Sequence, residues 1–302
     1  DALPICKSYS KQHKDNIFDY GYIGQIKRNA IPVYTLGSDT VNGHTYSNVY
    51  RLTAFAYVID TFIASDKNAA MARYTQNVFD KFGYNFIRYN NYIQQFGGLL
   101  NGESASSAYG LFAAPGVVYN GFARSNSDLM EFNASLSFDI KDHGIEMGYQ
   151  FYQTMSHSFS VSPRGLWTLM RELTNSHINE LSTIATPTYD NGVFTDTLNY
   201  SRLINTDGQT TFDKSIRSKI GAAEDEWIDI DSYDPSTYSL DMFSAEELLN
   251  NGNAYISYYG YDYTGKHLNN KSITMDDMQK WFNGEDGRRD FTTIGAYKPI
   301  YM

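Results

Sequence analysis

The segment Glu131–Gln153, EFNASLSFDIKDHGIEMGYQFYQ, alternates apolar and polar residues over two successive runs. Phe132, Ala134, Leu136, Phe138 and Ile140 share one face, and Glu131, Asn133, Ser135, Ser137 and Asp139 share the other. Beyond Lys141-Asp142-His143-Gly144 the pattern resumes, with Ile145, Met147, Tyr149 and Phe151 set against Glu146, Gly148, Gln150 and Tyr152. A two-residue period of this length predicts two half-buried strands joined by a hairpin turn at 141–144. Such a pair has to cover its apolar face. A soluble sandwich covers it with a second sheet, and a membrane barrel covers it with lipid.

The chain of 302 residues carries a net charge of −10, which argues against a general nucleic-acid binder with its basic face. Cys6 is the single cysteine, so an intrachain disulfide and a cysteine-rich metal site are both excluded. No apolar run reaches the roughly 18 residues of a transmembrane helix, a test to which alternating barrel strands are blind. The first residues, DALPICKSYSKQHKDN, lack the apolar run of a signal peptide, so the chain is expected to begin past such a signal or inside a longer protein. Aromatic residues make up 16% and charged residues only 19%. That balance suits membrane-interface girdles, sugar-stacking grooves or closely packed loops.

Along the chain, residues 17–27 alternate weakly, with Phe18, Tyr20, Tyr22 and Ile26 on one side, and residues 49–63 form a second candidate strand. The Gly/Asn/Ser-rich stretch between them reads as a loop. From 64 to 127 no two-residue period is sustained; residues 68–82 predict a short helix and 96–110 a loop. That span is far longer than the usual connection of about 4–6 residues. Ser162-Pro163 opens a helix predicted over 163–181, striped by Leu166, Leu169, Met170 and Leu173. Further helices are predicted at 210–222, at Ala245–Leu249 behind a Ser244/Glu247 capping box, and at Met275–Phe282. The expected division is therefore 1–155, barrel strands with a first long loop, and 156–302, a long loop region with short helices. Short turns on one side and long structured loops on the other are the habit of outer-membrane barrels.

Four blocks carry a family likeness: YGYIGQI (20–26), GGLLNGESASSAYGL (97–111), FDIKDHGIEMGYQFYQTMSHSFSVSPRGLWTLMRELTNSHI (138–178) and SYDPSTYSLDMFSAEELLNNGNAYISYYGYDYTGK (232–266). In this order the chain resembles the TonB-dependent outer-membrane receptors of Bacteroidota, the Oar-like group related to SusC. The resemblance implies a mainly β fold: a transmembrane antiparallel barrel of about 22 strands around a plug, with long extracellular loops containing short α-helices. It also implies uptake of a bulky nutrient, an oligopeptide or glycan, with energy from TonB. The implied partners are the rest of the barrel and plug, TonB, a surface lipoprotein lid and outer-membrane lipid. A TonB box, a plug and a terminal aromatic strand are not recognisable, and about four to six strands are countable against 22. The chain is thus expected to be an internal portion of such a receptor. Phe132, Ala134, Leu136, Phe138 and Ile140 would then face lipid, with Tyr149, Phe151 and Tyr152 toward the outer leaflet.

Candidate chemistry is sparse. Glu224, Asp225, Glu226, Asp229, Asp231, Asp234 and Asp241 form an acidic run without the Gly and Glu spacing of an EF-hand, and a solvated loop is expected there rather than a calcium site. His143, His157 and His177 share no ligand spacing; His143 and His177 are expected to be exposed or capping. No G-x-S-x-G elbow follows a strand and Cys6 has no neighbouring base, so neither enzyme activity nor a cofactor is expected. Trp167, at helical spacing, is expected in a core. Tyr255, Tyr258, Tyr259, Tyr261 and Tyr263 are the candidate ligand-binding residues, by stacking on sugar or peptide; packing of loop on loop would use them equally well. The alternative from another class is a secreted or surface β-rich module that binds glycans or peptides. A glycosidase is the third, although its two carboxylates cannot be singled out.

Overall fold

A computed structural model of the chain describes residues 16–106, 120–250 and 254–267. The protein is mainly β, and its framework is three antiparallel hairpins: β1 (Gly24–Val41) with β2 (His44–Ala64), β3 (Phe122–Ile140) with β4 (His143–Val161), and β5 (Leu181–Asp190) with β6 (Val193–Arg202). All three turns hold two residues. Asn42-Gly43 and Asn191-Gly192 take positive φ at both positions (51° and 80°; 49° and 80°), the geometry that matches strand twist and that Asn-Gly adopts most readily. Lys141, at φ 55°, turns the third. The connections at the opposite ends of the strands are long and contain the helices.

This architecture corrects several expectations. The stretch read as a loop between residues 27 and 49 is strand almost throughout, whereas Ile17–Asp19 is a 3-10 turn and β1 starts only at Gly24. Residues 156–302 are not only loops and helices, because the β5/β6 hairpin lies inside them. In place of a single break near residue 155, the described residues fall into two compact units that interleave in sequence, one drawn from 16–120 and 162–244 and the other from 121–161 and 245–267.

In the first unit the strand order is β1-β2-β6-β5. Pro32 and Pro187 sit in the two outer strands, where a missing N–H breaks no ladder. β2 meets β6 in parallel, through Tyr50 opposite Thr197 and Arg51 opposite Leu198. The junction departs from the all-antiparallel order that the resemblance implies, and among the described residues neither sheet closes into a barrel. α1 (Ala69–Phe82) buries Met71, Ala72, Val78 and Phe79 in a core with Ile23, Ile26, Ile59 and Phe62. α2 (Asn90–Gln95) adds Ile93. α3 (Pro163–Leu173) begins where Ser162-Pro163 predicts but ends eight residues early, because Asn175 turns into the left-handed region at φ 64°. α4 (Thr211–Ile220) is capped by the Thr210 side chain, which accepts from the N–H of Asp213. Trp167 is fully buried, as its spacing predicts.

Two polar networks tie this unit together. The fully buried Asp231 accepts from Arg28 Nη2 at 2.9 Å, Arg171 Nη1 at 3.0 Å and Asn101 Nδ2 at 2.9 Å. Asp229 engages the same guanidinium of Arg28 and accepts from its backbone N–H at 3.0 Å. Asp213 accepts from Arg217 Nε at 2.7 Å and from the Asn175 N–H at 2.9 Å, while Arg217 Nη2 donates to Asn175 Oδ1 at 3.0 Å. Burial opposes ionisation of Asp231, but Arg171 and Arg28 outweigh it and hold the carboxyl below its ordinary range. Asp213 is also held low against burial, through its hydrogen bonds to Arg217 and Asn175. Burial pushes Asp229 the other way, to about 7, against the pull of Arg28.

The depressed pair stabilises the fold above the unfolded carboxylate pKa of about 3.9, and that contribution disappears as pH falls through their folded values. Asp229 has the opposite slope between about 4 and 7. Denaturant midpoints read by tryptophan fluorescence should therefore fall steeply below pH 4. Asp231→Asn should cost about 3–5 kcal/mol at pH 7, since it leaves Arg171 without a carboxylate and Arg28 with Asp229 alone, and should flatten that acid limb.

Candidate functional site

In the second unit, β3 and β4 pair in unbroken register over 19 residues each. The register aligns Phe132 with Phe151, Ala134 with Tyr149, Leu136 with Met147 and Phe138 with Ile145, so the apolar halves of both strands fall on one face. That face lies open: Phe132, Leu136, Met147 and Tyr149 are each more than half exposed. The reverse face carries Asn133 opposite Gln150, Ser135 opposite Gly148 and Ser137 opposite Glu146. There Glu131 Oε1 accepts from Asn133 Nδ2 at 2.7 Å and Gln150 Nε2 at 3.1 Å. From Met130 to Ile140 the apolar band spans ten residue steps, about 33 Å along the strand and about 25 Å along the normal for a barrel-like tilt. The turn forms at Lys141-Asp142 alone, with His143 and Gly144 already paired in the ladder.

Beyond the band, toward the connector end, the hairpin acquires a small core. β7 (Ile256–Tyr259) joins β4, and Phe159, Val161, Tyr255, Ile256 and Tyr261 are buried. This separates the five candidate tyrosines. Tyr261 packs 6.1 Å from the Phe159 ring and its hydroxyl accepts from Asn126 Nδ2 at 3.0 Å. Tyr255 and Tyr261 are therefore core residues, not parts of an open stacking platform; Tyr259 is 48% exposed, and Tyr258 and Tyr263 are half-buried. The five do not form one surface. Gly260 follows at φ 72°, pressed so closely on His157 that a side chain there would run into the imidazole ring.

The first unit contains a groove of about 510 Å³ between β2 and the connector ends of β5 and β6, lined by Phe55, Tyr57, Asn179, Glu180, Leu181 and Arg202 among others. The Arg202 guanidinium lies 4.3 Å from the centre of the Phe55 ring and donates to Ile178 O at 3.0 Å and Tyr57 Oη at 2.9 Å. The Tyr57 ring stacks on Trp227 at 3.8 Å. Sequence reasoning missed these residues, since Phe55, Tyr57, Arg202 and Trp227 belong to no motif. A second cavity of about 640 Å³ borders Gly97, Gly98, Glu103 and Arg164.

The acidic run is divided as well. Asp229 and Asp231 are buried in ion pairs with Arg28 and Arg171, which corrects the expectation of a solvated loop there. Among the described residues, no cluster of three or more metal-ligating side chains forms. His143 is exposed as expected, but His177 is buried, with Nε2 at 3.0 Å from Glu224 O and Nδ1 at 3.4 Å from Asp213. The helix expected at Met275–Phe282, and Cys6, lie outside the described residues.

No protein-family model matches the chain, and neither a curated protein nor a solved structure matches it significantly.

The different surroundings of the tyrosines have measurable consequences. Tyr261→Ala should cost about 3–5 kcal/mol of unfolding free energy, as loss of a buried aromatic does. Tyr259→Ala should stay within about 0.5 kcal/mol. Equal, small effects at both positions would contradict the burial described.

Proposed function

We propose that this chain is part of a TonB-dependent outer-membrane transporter that takes up a bulky nutrient. The β3/β4 hairpin would form part of the barrel wall, and the helix-bearing connections would form extracellular loops. One observation carries the reading: an exposed apolar band about 25 Å tall on one face of an amphipathic hairpin, a height that suits the hydrocarbon layer. The sequence resemblance and the alternation of two-residue turns with long connections support it. The lipid-facing residues would be Phe132, Ala134, Leu136, Phe138 and Ile140 with Ile145 and Met147. Tyr149 and Phe151 would lie nearer the outer interface, where aromatic girdles anchor barrels.

The parallel junction of β2 and β6 favours a second reading, a surface β-rich module binding glycans or peptides, in which a second protein surface covers the band. Arginine substitutions separate the two. Leu136→Arg should prevent heat-resistant assembly in the outer membrane, since a cation at the bilayer midplane costs about 2–4 kcal/mol. Ser135→Arg, on the polar face, should assemble normally. Assembly of both variants would rule out a lipid-facing Leu136. For the assembled receptor, deletion of TonB should abolish nutrient uptake; uptake that persisted would leave a passive channel or an adhesin.

A further inference from the structure

Arg202 stands apart from the other arginines of its unit whose charge is matched. Arg28, Arg51, Arg171 and Arg217 each meet a carboxylate. Among the described residues, Arg202 meets none: its guanidinium is held by a backbone carbonyl, a phenol hydroxyl and an aromatic face. These contacts fix its direction and leave its charge unneutralised, with Nε and one N–H on each terminal nitrogen still available. Glu180 lines the same groove, exposed, and its carboxylate too has no ion-pair partner among the described residues. The two charges do not pair with each other. The rest of the lining mixes apolar Ala54, Phe55 and Leu181 with polar Thr53, Tyr57 and Asn179.

We infer that this groove binds a short zwitterionic peptide, whose terminal carboxylate meets Arg202 and whose terminal ammonium meets Glu180. A fixed planar guanidinium recognises a carboxylate through two parallel N–H donors. A single arginine with a carboxylate in the same groove suits a monoanion better than a phosphate dianion. A volume of about 510 Å³ lies within the range of small-ligand sites, and Ala54, Phe55 and Leu181 of its lining offer apolar surface to the peptide's side chains. A neutral glycan would use neither charge. This inference deepens the uptake reading by choosing peptide over glycan. It rests on that reading only for its biological setting, since binding in the groove requires no membrane insertion.

The test is isothermal titration of the full chain in detergent with Ala-Leu-Ala as the probe. Its C-terminal amide, its N-acetyl derivative and maltotriose serve as comparisons. The free tripeptide should bind, the amide should bind about tenfold or more weakly, and acetylation should weaken binding about threefold. Glu180→Gln, at an exposed position, should make the acetylated and free peptides equivalent. Arg202→Lys, which keeps the charge and loses the fork, should weaken the free peptide and reduce the penalty of amidation. No binding of the free tripeptide, equal binding of all three peptides, or tighter binding of maltotriose would overturn the inference. None of these outcomes bears on Leu136 and lipid, so this inference and the transporter reading can fail separately.

Discussion

A two-stranded hairpin has no interior of its own, and an isolated one is marginal in water. β3 and β4 nevertheless run together for 19 residues each without a register shift, one face apolar and the other polar. A slip of one residue would exchange the two faces completely, so a register this regular presupposes two different media on the two sides. The small core around Phe159 and Tyr261 holds only the connector end. Everything from Met130 to the turn depends on what covers the band. This dependence is the central constraint on the molecule, and it follows directly from the two-residue period of the sequence.

The first unit solves a different problem. Its connections are long and would be mobile without internal anchors. Asp231 and Asp229 join Arg28 of β1 to Arg171 of α3, and Asp213 joins α4 to the turn at Asn175. Removing one partner strands the others in a low-dielectric interior, so the networks bind their segments in one arrangement more than they add net stability. The groove with Arg202 lies between the middle of β2 and the connector ends of β5 and β6, where loops held in this way can present a ligand surface.

How far the sequence is legible varies with the physics of each segment. The 131–153 hairpin is readable because its period stays strict and the contrast between its faces is large. β2 is legible only over 49–63, and β1, β5 and β6 are not, since register shifts at Lys27/Arg28, Val33/Tyr34, Gly37/Asp39 and Pro187/Tyr189 break the period. Their abundant Thr, Ser and Tyr also blur the faces. Asn42-Gly43 and Asn191-Gly192 were the available signals, and turn chemistry locates those hairpins where periodicity fails. The start of α3 is legible from Ser162-Pro163, but its end depends on Asn175 adopting φ 64° within a tertiary network. The acidic run is illegible for a related reason: the arginines that neutralise Asp231 lie 203 and 60 residues away. The tyrosines of 255–263 look alike in sequence, and only the packing against Phe159 distinguishes core from surface.

The most direct test of the proposal that lipid covers the band is an accessibility scan of single spin labels from Leu129 to Gln153 in reconstituted bilayers, with oxygen and a water-soluble nickel chelate as relaxants. The account predicts a two-residue period, with oxygen dominant at Phe132, Leu136, Met147 and Phe151 and nickel dominant at Asn133, Ser135, Glu146 and Gln150. The two relaxants should oscillate out of phase along both strands. Nickel access to both faces, or in-phase oscillation of the two relaxants, would contradict a lipid-facing band and leave the apolar face to a protein partner.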